Sequence, residues 1–194
     1  MIFSNLYNKL LLFLYVKTYG YFKGFKVQII GNVNIGKYTV IGDGSHIAAG
    51  AKGSITIETS VSIGRDIWIG AGDANIMIEK ESLFGPRVCI VGQNHSSTEI
   101  TITNLLPWQR DSIPKDVHIG KRCHIGANVV ILPGTNIGDY CTIGANSVVS
   151  GEIKSNSLIV GATSRVVKVY DFSVTNDNIK TTYPPYRHVS SKFF

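Results

Sequence analysis

Charged residues, proline and cysteine are all scarce in this 194-residue sequence. Charged residues account for 16% of the chain, against roughly 25% in typical soluble domains. The three cysteines, Cys89, Cys123 and Cys141, cannot all pair within one chain, and they lack the Cys-x-x-Cys spacing of a zinc site. The sequence therefore does not indicate a disulfide scaffold, and a reduced, cytoplasmic protein is predicted.

The apolar run near the N-terminus is too short to span a membrane. Leu10 to Val16 form an unbroken run of seven residues, whereas a spanning helix needs about 20. The segment from Lys17 to Tyr21 is a poor cleavage site for a signal peptide. Helical spacing of the apolar residues instead predicts a helix over residues 4–18 that packs against the main domain. Membrane contact is expected only through this helix.

The charge balance is mildly basic. The chain has 19 basic and 13 acidic residues, a formal net charge of +6, and no long run of one sign. This balance suits an anionic ligand, but it does not predict nucleic-acid binding.

Glycine is abundant, at 20 of 194 residues, and it accompanies a regular repeat. Aliphatic residues recur every six positions without interruption from Ile119 to Val149, and glycine follows several of them. The same period appears earlier in three triplets: Ile35, Ile41, Ile47; Ile57, Ile63, Ile69; and Ile78, Phe84, Ile90. Between these triplets the register slips by four residues and then by three.

A six-residue period fits neither an amphipathic helix nor the simple alternation of a strand. It predicts a short strand and a turn, repeated so that three units bring the chain round once. Residues 18 positions apart then stack in columns, and neighbouring coils bury each other's edges. The register slips are interpreted as extra residues at the corners of the coil.

This pattern resembles that of the hexapeptide-repeat acetyltransferases, and the stretch Ile119 to Gly134 is similar to their signature. The resemblance implies an all-β fold, a left-handed parallel β-helix; the handedness comes from the resemblance, because most parallel crossovers are right-handed. We expect the β-helix over residues 27–170, preceded by the N-terminal helix and its lead-in at 1–26. An irregular tail is expected at 171–194.

Residues 91–116 interrupt the repeat with a polar segment and then an apolar patch that includes Trp108. Long insertions in such regular arrays are usually functional or disordered. We expect a loop that projects from one corner and reaches a neighbouring subunit.

His95, at the start of this insertion, is the candidate catalytic residue. An imidazole is neutral near pH 7 and can accept a proton from a hydroxyl group. In the family that the segment resembles, a histidine at this junction deprotonates the acceptor hydroxyl, which attacks the thioester of acetyl-CoA directly. The resemblance therefore implies that His95 is a general base and that no acyl-enzyme forms.

The resemblance also implies a set of positions around acetyl-CoA: Ala127, Ala145, Ser150, Gly151, Arg165, Lys168 and His124. The first four match positions that contact the pantetheine arm or lie further along it. Arg165 and Lys168 match basic positions that meet the nucleotide phosphates, where fixed cations suit a multiply charged anion. His124 stands where many relatives have tryptophan; it either lines the transfer site or faces outward.

Asp73, Asn75 and Asn94 are the candidate acceptor contacts. Asp73 and Asn75 fall about one coil before His95, and Asp73 matches a sugar-contacting acid in the galactoside branch of the family. The alternative for Asp73 is a corner residue that satisfies turn amides.

The function implied is acetyl transfer from acetyl-CoA to a sugar hydroxyl, in a bacterial surface polysaccharide (O-antigen or capsule) or its precursor. Family resemblance further implies a homotrimer with sites between subunits, in the cytoplasm or at the inner face of the membrane. One alternative is an acetyltransferase for a small free acceptor, such as a galactoside, an antibiotic or an amino-sugar. Less favoured are a zinc carbonic anhydrase using His95, His118 and His124, and a non-catalytic or ice-binding solenoid. No metal is expected.

Overall fold

The computed structural model describes residues 20–95, 106, 109–161 and 165–169, the last of these for the backbone alone. The helix expected at 4–18, the middle of the insertion with Trp108, and the tail at 171–194 lie outside the described residues. No helix in the described ranges has the length and apolar character needed to cross a bilayer.

The described residues form short strands, with these bounds in chain order: β1 Phe22–Lys23, β2 Gln28–Ile30, β3 Val33–Ile35, β4 Val40–Ile41, β5 His46–Ala49, β6 Ser54–Ile57, β7 Ser62–Ile63, β8 Trp68–Gly72, β9 Asn75–Ile78, β10 Leu83–Phe84, β11 Cys89–Val91, β12 Gln93–His95, β13 Ser112–Pro114, β14 Val117–Ile119, β15 His124–Ile125, β16 Val130–Ile131, β17 Asn136–Ile137, β18 Thr142–Ile143, β19 Val148–Val149, β20 Glu152–Ile153, β21 Ser157–Val160 and β22 Arg165–Val169.

Three parallel sheets form the faces of a triangular prism, and each turn of the chain adds one strand to each sheet. Sheet A has the order β1-β4-β7-β10-β15-β18-β21-β22, sheet B has β2-β5-β8-β11-β16-β19, and sheet C has β3-β6-β9-β14-β17-β20. Strand β22 is the exception in sheet A, because it pairs antiparallel with β21. The prediction of an all-β solenoid of hexapeptide repeats is confirmed.

The stacking register follows the six-residue period. Ile125 stacks on Ile143, 18 residues later, as predicted. In the earlier coils Ile41 stacks on Ile63, and Ile63 stacks on Phe84. Both separations are longer than 18 residues, so these coils contain the extra residues that the register slips indicate. Inward aliphatic side chains of each sheet are buried, many at 0% exposure. Burying one such side chain contributes about 1.5–3 kcal/mol.

Buried residues close the corner between sheets C and A, four positions after the last aliphatic residue of each strand of sheet C. The side chains of Thr39, Ser82, Cys123 and Cys141 donate hydrogen bonds there to backbone carbonyls of the next coil. Ser82 Oγ lies 3.0 Å from the Gly120 carbonyl oxygen, and Cys123 Sγ lies 3.2 Å from that of Gly138. The buried cysteines therefore take the same structural position as serine.

All the extra residues of the coils fall at one corner, between sheets B and C, which we call the insertion corner. It contains residues 50–53, 72–74 and 92–116 in three successive coils. Backbone hydrogen bonds stack these corners, with Gly50 N donating to Gly72 O at 2.7 Å and Gly92 N donating to Gly70 O at 2.8 Å. One edge of the prism thus has room for a site while the other two remain regular.

Candidate active site

His95 lies on a hairpin that rises from the insertion corner. Strand β12 pairs antiparallel with β13, so that His95 lies opposite Ser112. At the base of the hairpin, Lys115 N donates to the Gly92 carbonyl at 2.8 Å. The inserted segment therefore leaves and re-enters the solenoid at one point and holds an exposed imidazole outside the prism.

One ring nitrogen of His95 faces a backbone carbonyl oxygen. Nδ1 lies 3.4 Å from the carbonyl oxygen of Arg110. A carbonyl can only accept a hydrogen bond, so this contact favours a proton on Nδ1 and leaves Nε2 free to accept one. A neutral histidine in this tautomer is suited to general base catalysis.

Gln93 links the hairpin to the preceding coil through a hydrogen bond of its side chain. Its Oε1 accepts a hydrogen bond from Asp73 N at 2.9 Å. Gly72 permits this approach, because a Cβ at that position would lie 2.0 Å from Gln93 Cδ. The φ of Gly72 is also positive, at 56°, a conformation that glycine adopts without a steric penalty.

The structure places the predicted acceptor residues Asp73 and Asn75 at the insertion corner, one coil before His95. Asp73 Oδ1 accepts from Lys52 N at 3.3 Å, so its carboxylate does bond a turn amide of the neighbouring coil. Asn94 is exposed beside His95 in β12.

Asp116 is a residue of this corner that the sequence analysis did not single out. Asn75 N donates to Asp116 Oδ1 at 2.7 Å, and Asn75 Nδ2 lies 3.3 Å from both carboxylate oxygens. Asn75 Oδ1 in turn accepts from Ser54 Oγ at 2.7 Å. The only sequence signal for Asp116 is its place immediately before the repeat resumes.

The expected coenzyme positions divide between two corners. Ala127 and Ala145 stack at the corner between sheets A and B, which we call the alanine corner, with Asn146 N donating to Ala127 O at 2.9 Å. Ser150 and Gly151 lie at the insertion corner. His124 faces outward on sheet A and is exposed. Arg165 and Lys168 belong to β22, and their side chains lie outside the described set.

Within one chain, sheet B separates His95 from the alanine corner. The outward side of sheet B is largely apolar, with the residues Trp68, Cys89, Val91, Val130, Leu132 and Val148. Trp68 is 49% exposed, and its ring stacks on that of His46 at 4.3 Å between centroids. A single prism therefore does not bring the catalytic candidate and the alanine corner together.

The histidines proposed for a zinc site do not share a location. His118 lies in β14 of sheet C and His124 in β15 of sheet A. Among the residues that the structure describes, no group of three or more His, Cys, Asp or Glu side chains is arranged to hold a metal ion.

Comparison with known proteins relates the chain to acyltransferases. Residues 116–151 match the family described as bacterial transferase hexapeptide (six repeats). The chain is 32% identical over 145 residues to the Escherichia coli protein "Putative lipopolysaccharide biosynthesis O-acetyl transferase WbbJ", a match that covers 73% of this chain and 74% of that protein. It is 35% identical over 140 residues to "Probable acetyltransferase Rv3034c" of Mycobacterium tuberculosis, covering 72% of this chain and 45% of that protein.

A solved structure with the same architecture is that of AntD, an N-acyltransferase from Bacillus cereus, in complex with dTDP and coenzyme A. The TM-score is 0.67 at 20% identity, and the match covers 80% of this chain and 87% of that one. At this level of identity the similarity shows the fold alone.

Proposed function

Because the chain belongs to the hexapeptide-repeat acetyltransferase family, we propose that it transfers an acetyl group from acetyl-CoA to a sugar hydroxyl in a bacterial surface polysaccharide or its precursor. The observation that carries this proposal is the exposed His95 imidazole, whose Nδ1 faces the Arg110 carbonyl. The name of the Escherichia coli relative, an O-acetyl transferase of lipopolysaccharide biosynthesis, supports the choice of acceptor.

The reaction is a direct transfer. His95 Nε2 accepts the proton of the acceptor hydroxyl. At the same time, the oxygen of that hydroxyl forms a bond to the thioester carbonyl carbon of acetyl-CoA. The C–S bond then breaks, and the leaving thiolate takes the proton from the imidazolium, so the histidine returns to its neutral state. The Arg110 carbonyl helps to orient the ring.

The alanine corner fits the pantetheine arm of acetyl-CoA. Ala127 and Ala145 each present only a methyl group at this corner, so an extended chain can approach the backbone closely there. Ser150, Gly151 and His124 complete the proposed binding surface, and Arg165 and Lys168 are assigned to the phosphates. Asp73, Asn75 and Asn94 are assigned to the acceptor.

A homotrimer joins the two halves of this site. Sheet B has the apolar outward side, so self-association around a threefold axis would bury that sheet. Sheet B has the insertion corner at one edge and the alanine corner at the other. Around the threefold axis, the insertion-corner edge of each subunit then meets the alanine-corner edge of its neighbour. The insertion corner with His95 consequently lies beside the alanine corner of the neighbour, while sheets A and C remain accessible.

The proposed location is the cytoplasm, at or near the inner face of the membrane. Cys89, Cys123 and Cys141 are free thiols in the structure, which agrees with a reducing compartment. Acetyl-CoA is also a cytoplasmic metabolite.

The test is acetyl-CoA turnover with a panel of saccharide acceptors, comparing the wild type with His95→Ala. Removal of a general base is expected to lower kcat by at least about 100-fold, with partial rescue by added imidazole. The variant Asn34→Ala, an exposed position in the first coil, serves as the control. Retained activity in His95→Ala would contradict the mechanism but not the fold.

A further inference from the structure

A groove lined by both polar and apolar groups runs over the outward side of sheet C, starting at the insertion corner. Its volume is about 400 Å³, and most of its lining residues are polar: Ser54, Thr56, Asn75, Asp116, His118, Thr135, Asn136 and Glu152. The groove begins at the base of the hairpin that carries His95, because Asp116 follows β13 by two residues. Its size is within the range of small-molecule sites.

Hydrogen bonds along the stacked strands hold one wall of this groove in a fixed arrangement. His118 Nδ1 lies 2.8 Å from Asn136 Oδ1, and His118 Nε2 lies 2.9 Å from Glu79 Oε1. Asn136 Nδ2 donates to Glu152 Oε2 at 2.9 Å, which fixes the orientation of the amide. Both ring nitrogens of His118 therefore face oxygen acceptors, an arrangement that favours the imidazolium.

The wall nearer to His95 is fixed in the same way by the Ser54, Asn75 and Asp116 contacts. Asp116 is nevertheless exposed. A carboxylate has about four lone-pair positions, so its oxygens keep capacity for further donors. Strands in a sheet lie about 4.8 Å apart, and successive coils thus present polar groups at regular intervals.

The charge of the groove identifies the class of ligand. The lining includes the carboxylates of Asp116 and Glu152 and the imidazole of His118, whose Nε2 faces Glu79 Oε1, and it has no lysine or arginine. The two carboxylates disfavour a phosphate group at this surface. The surface suits a ligand rich in hydroxyl donors, and Met77, which is 37% exposed, offers an apolar contact.

We propose that this groove binds a sugar residue of the acceptor adjacent to the one that is acetylated. The inference rests on the proposed function and deepens it. The groove extends from the catalytic hairpin away from the alanine corner, so it is placed to hold the continuation of a saccharide chain. The enzyme therefore acts on an oligosaccharide or polymer in preference to a free monosaccharide.

The test compares two classes of acceptor. Methyl glycosides of glucose, galactose, mannose, rhamnose and N-acetylglucosamine are assayed beside the corresponding trisaccharides, with kcat/KM measured for each accepted sugar. The wild type is expected to prefer a trisaccharide by at least tenfold. In Asn136→Ala this preference falls by about 3- to 10-fold, the loss expected for one or two ligand hydrogen bonds.

Asn34→Ala is the matched control, because Asn34 is also an exposed asparagine on the outward side of sheet C but does not line the groove. It keeps the wild-type preference. The KM for acetyl-CoA and the thermal unfolding midpoint are measured for both variants, because a merely structural effect would shift the midpoint and would act equally on both acceptor classes.

The outcomes separate the two proposals. Equal use of methyl glycosides and trisaccharides by the wild type, or an unchanged preference in Asn136→Ala, overturns the groove and leaves the sugar acetyltransferase standing. Failure of the wild type to acetylate any sugar overturns both. A second readout uses no acetyl-CoA: the ring signals of His118 shift in NMR spectra on addition of an accepted trisaccharide, and their constancy would contradict the inference.

Discussion

The ionisation of His118 is set by its immediate partners. Burial of the ring lowers the pKa, but the hydrogen bonds to Asn136 and Glu79 raise it by more, so the pKa lies above its usual value. Because the pKa is raised in the folded state, protonation stabilises the fold. This contribution is complete below the unfolded-state pKa of about 6.5 and is lost as the pH rises through the folded-state pKa. Partial exposure of the side chain, 39%, keeps the contribution modest.

Glu79→Gln is therefore expected to lower the pKa of His118, measured by NMR titration of the ring. The control is Glu58→Gln, since Glu58 lies one coil earlier in the same column and its Oε2 accepts from Lys80 N instead. An unchanged titration of His118 in Glu79→Gln would show that the carboxylate does not stabilise the imidazolium.

At the scale of the element, the hairpin β12–β13 depends on a close contact with the coil below it. Gly72→Ala would place a Cβ against the side chain of Gln93 and so disturb the hydrogen bond from Asp73 N. We expect kcat to fall by about tenfold or more, because small displacements of a catalytic group are costly, with little change in the KM for acetyl-CoA.

Gly44→Ala separates hairpin displacement from backbone strain. Gly44 also has a positive φ, 72°, and a Cβ there would meet only the side chain of Asp66. Both variants should lose similar stability in urea unfolding, but only Gly72→Ala should lose kcat. Equal loss of kcat in the two variants would argue against a role for the Gln93 contact.

Much of the fold follows from the sequence because each coil repeats a short local pattern. The period from Ile119 to Val149 predicts the stacking columns, and the register slips before Ile57 and Ile78 predict the extra corner residues. His95 could be proposed because it lies near the start of the long interruption at 91–116, where the family that the sequence resembles has a catalytic histidine.

The partners of the site are not local, and sequence spacing does not reveal them. Asp116 bonds Asn75 across 41 residues, and Gln93 bonds Asp73 across 20; both separations depend on how the insertion re-enters the solenoid. Sequence spacing likewise does not reveal the groove on sheet C, because His118, Asn136 and Glu152 come from three successive coils. The resemblance implies the coenzyme residues as positions along the sequence, and the structure distributes the described ones over two corners of the prism.

On the scale of the whole molecule, the central claim is that a complete site needs two chains. His95 and the alanine corner lie at opposite edges of sheet B, and the threefold arrangement that we propose would bring each beside its counterpart in a neighbouring subunit. A chain that lacks the His95 imidazole and a chain whose alanine corner is blocked should therefore regain acetyltransferase activity when they assemble in one trimer.

The most direct measurement is acetyl transfer by mixed trimers of His95→Ala and Ala145→Trp, refolded together in equal amounts. Ala145→Trp fills the alanine corner with a large side chain, so each variant alone is expected to be nearly inactive. In random mixtures, about a quarter of the interfaces pair an intact His95 with an intact alanine corner, so about a quarter of the wild-type activity should return. Mixtures as inactive as the separate variants, with trimers formed, would contradict a site shared between subunits.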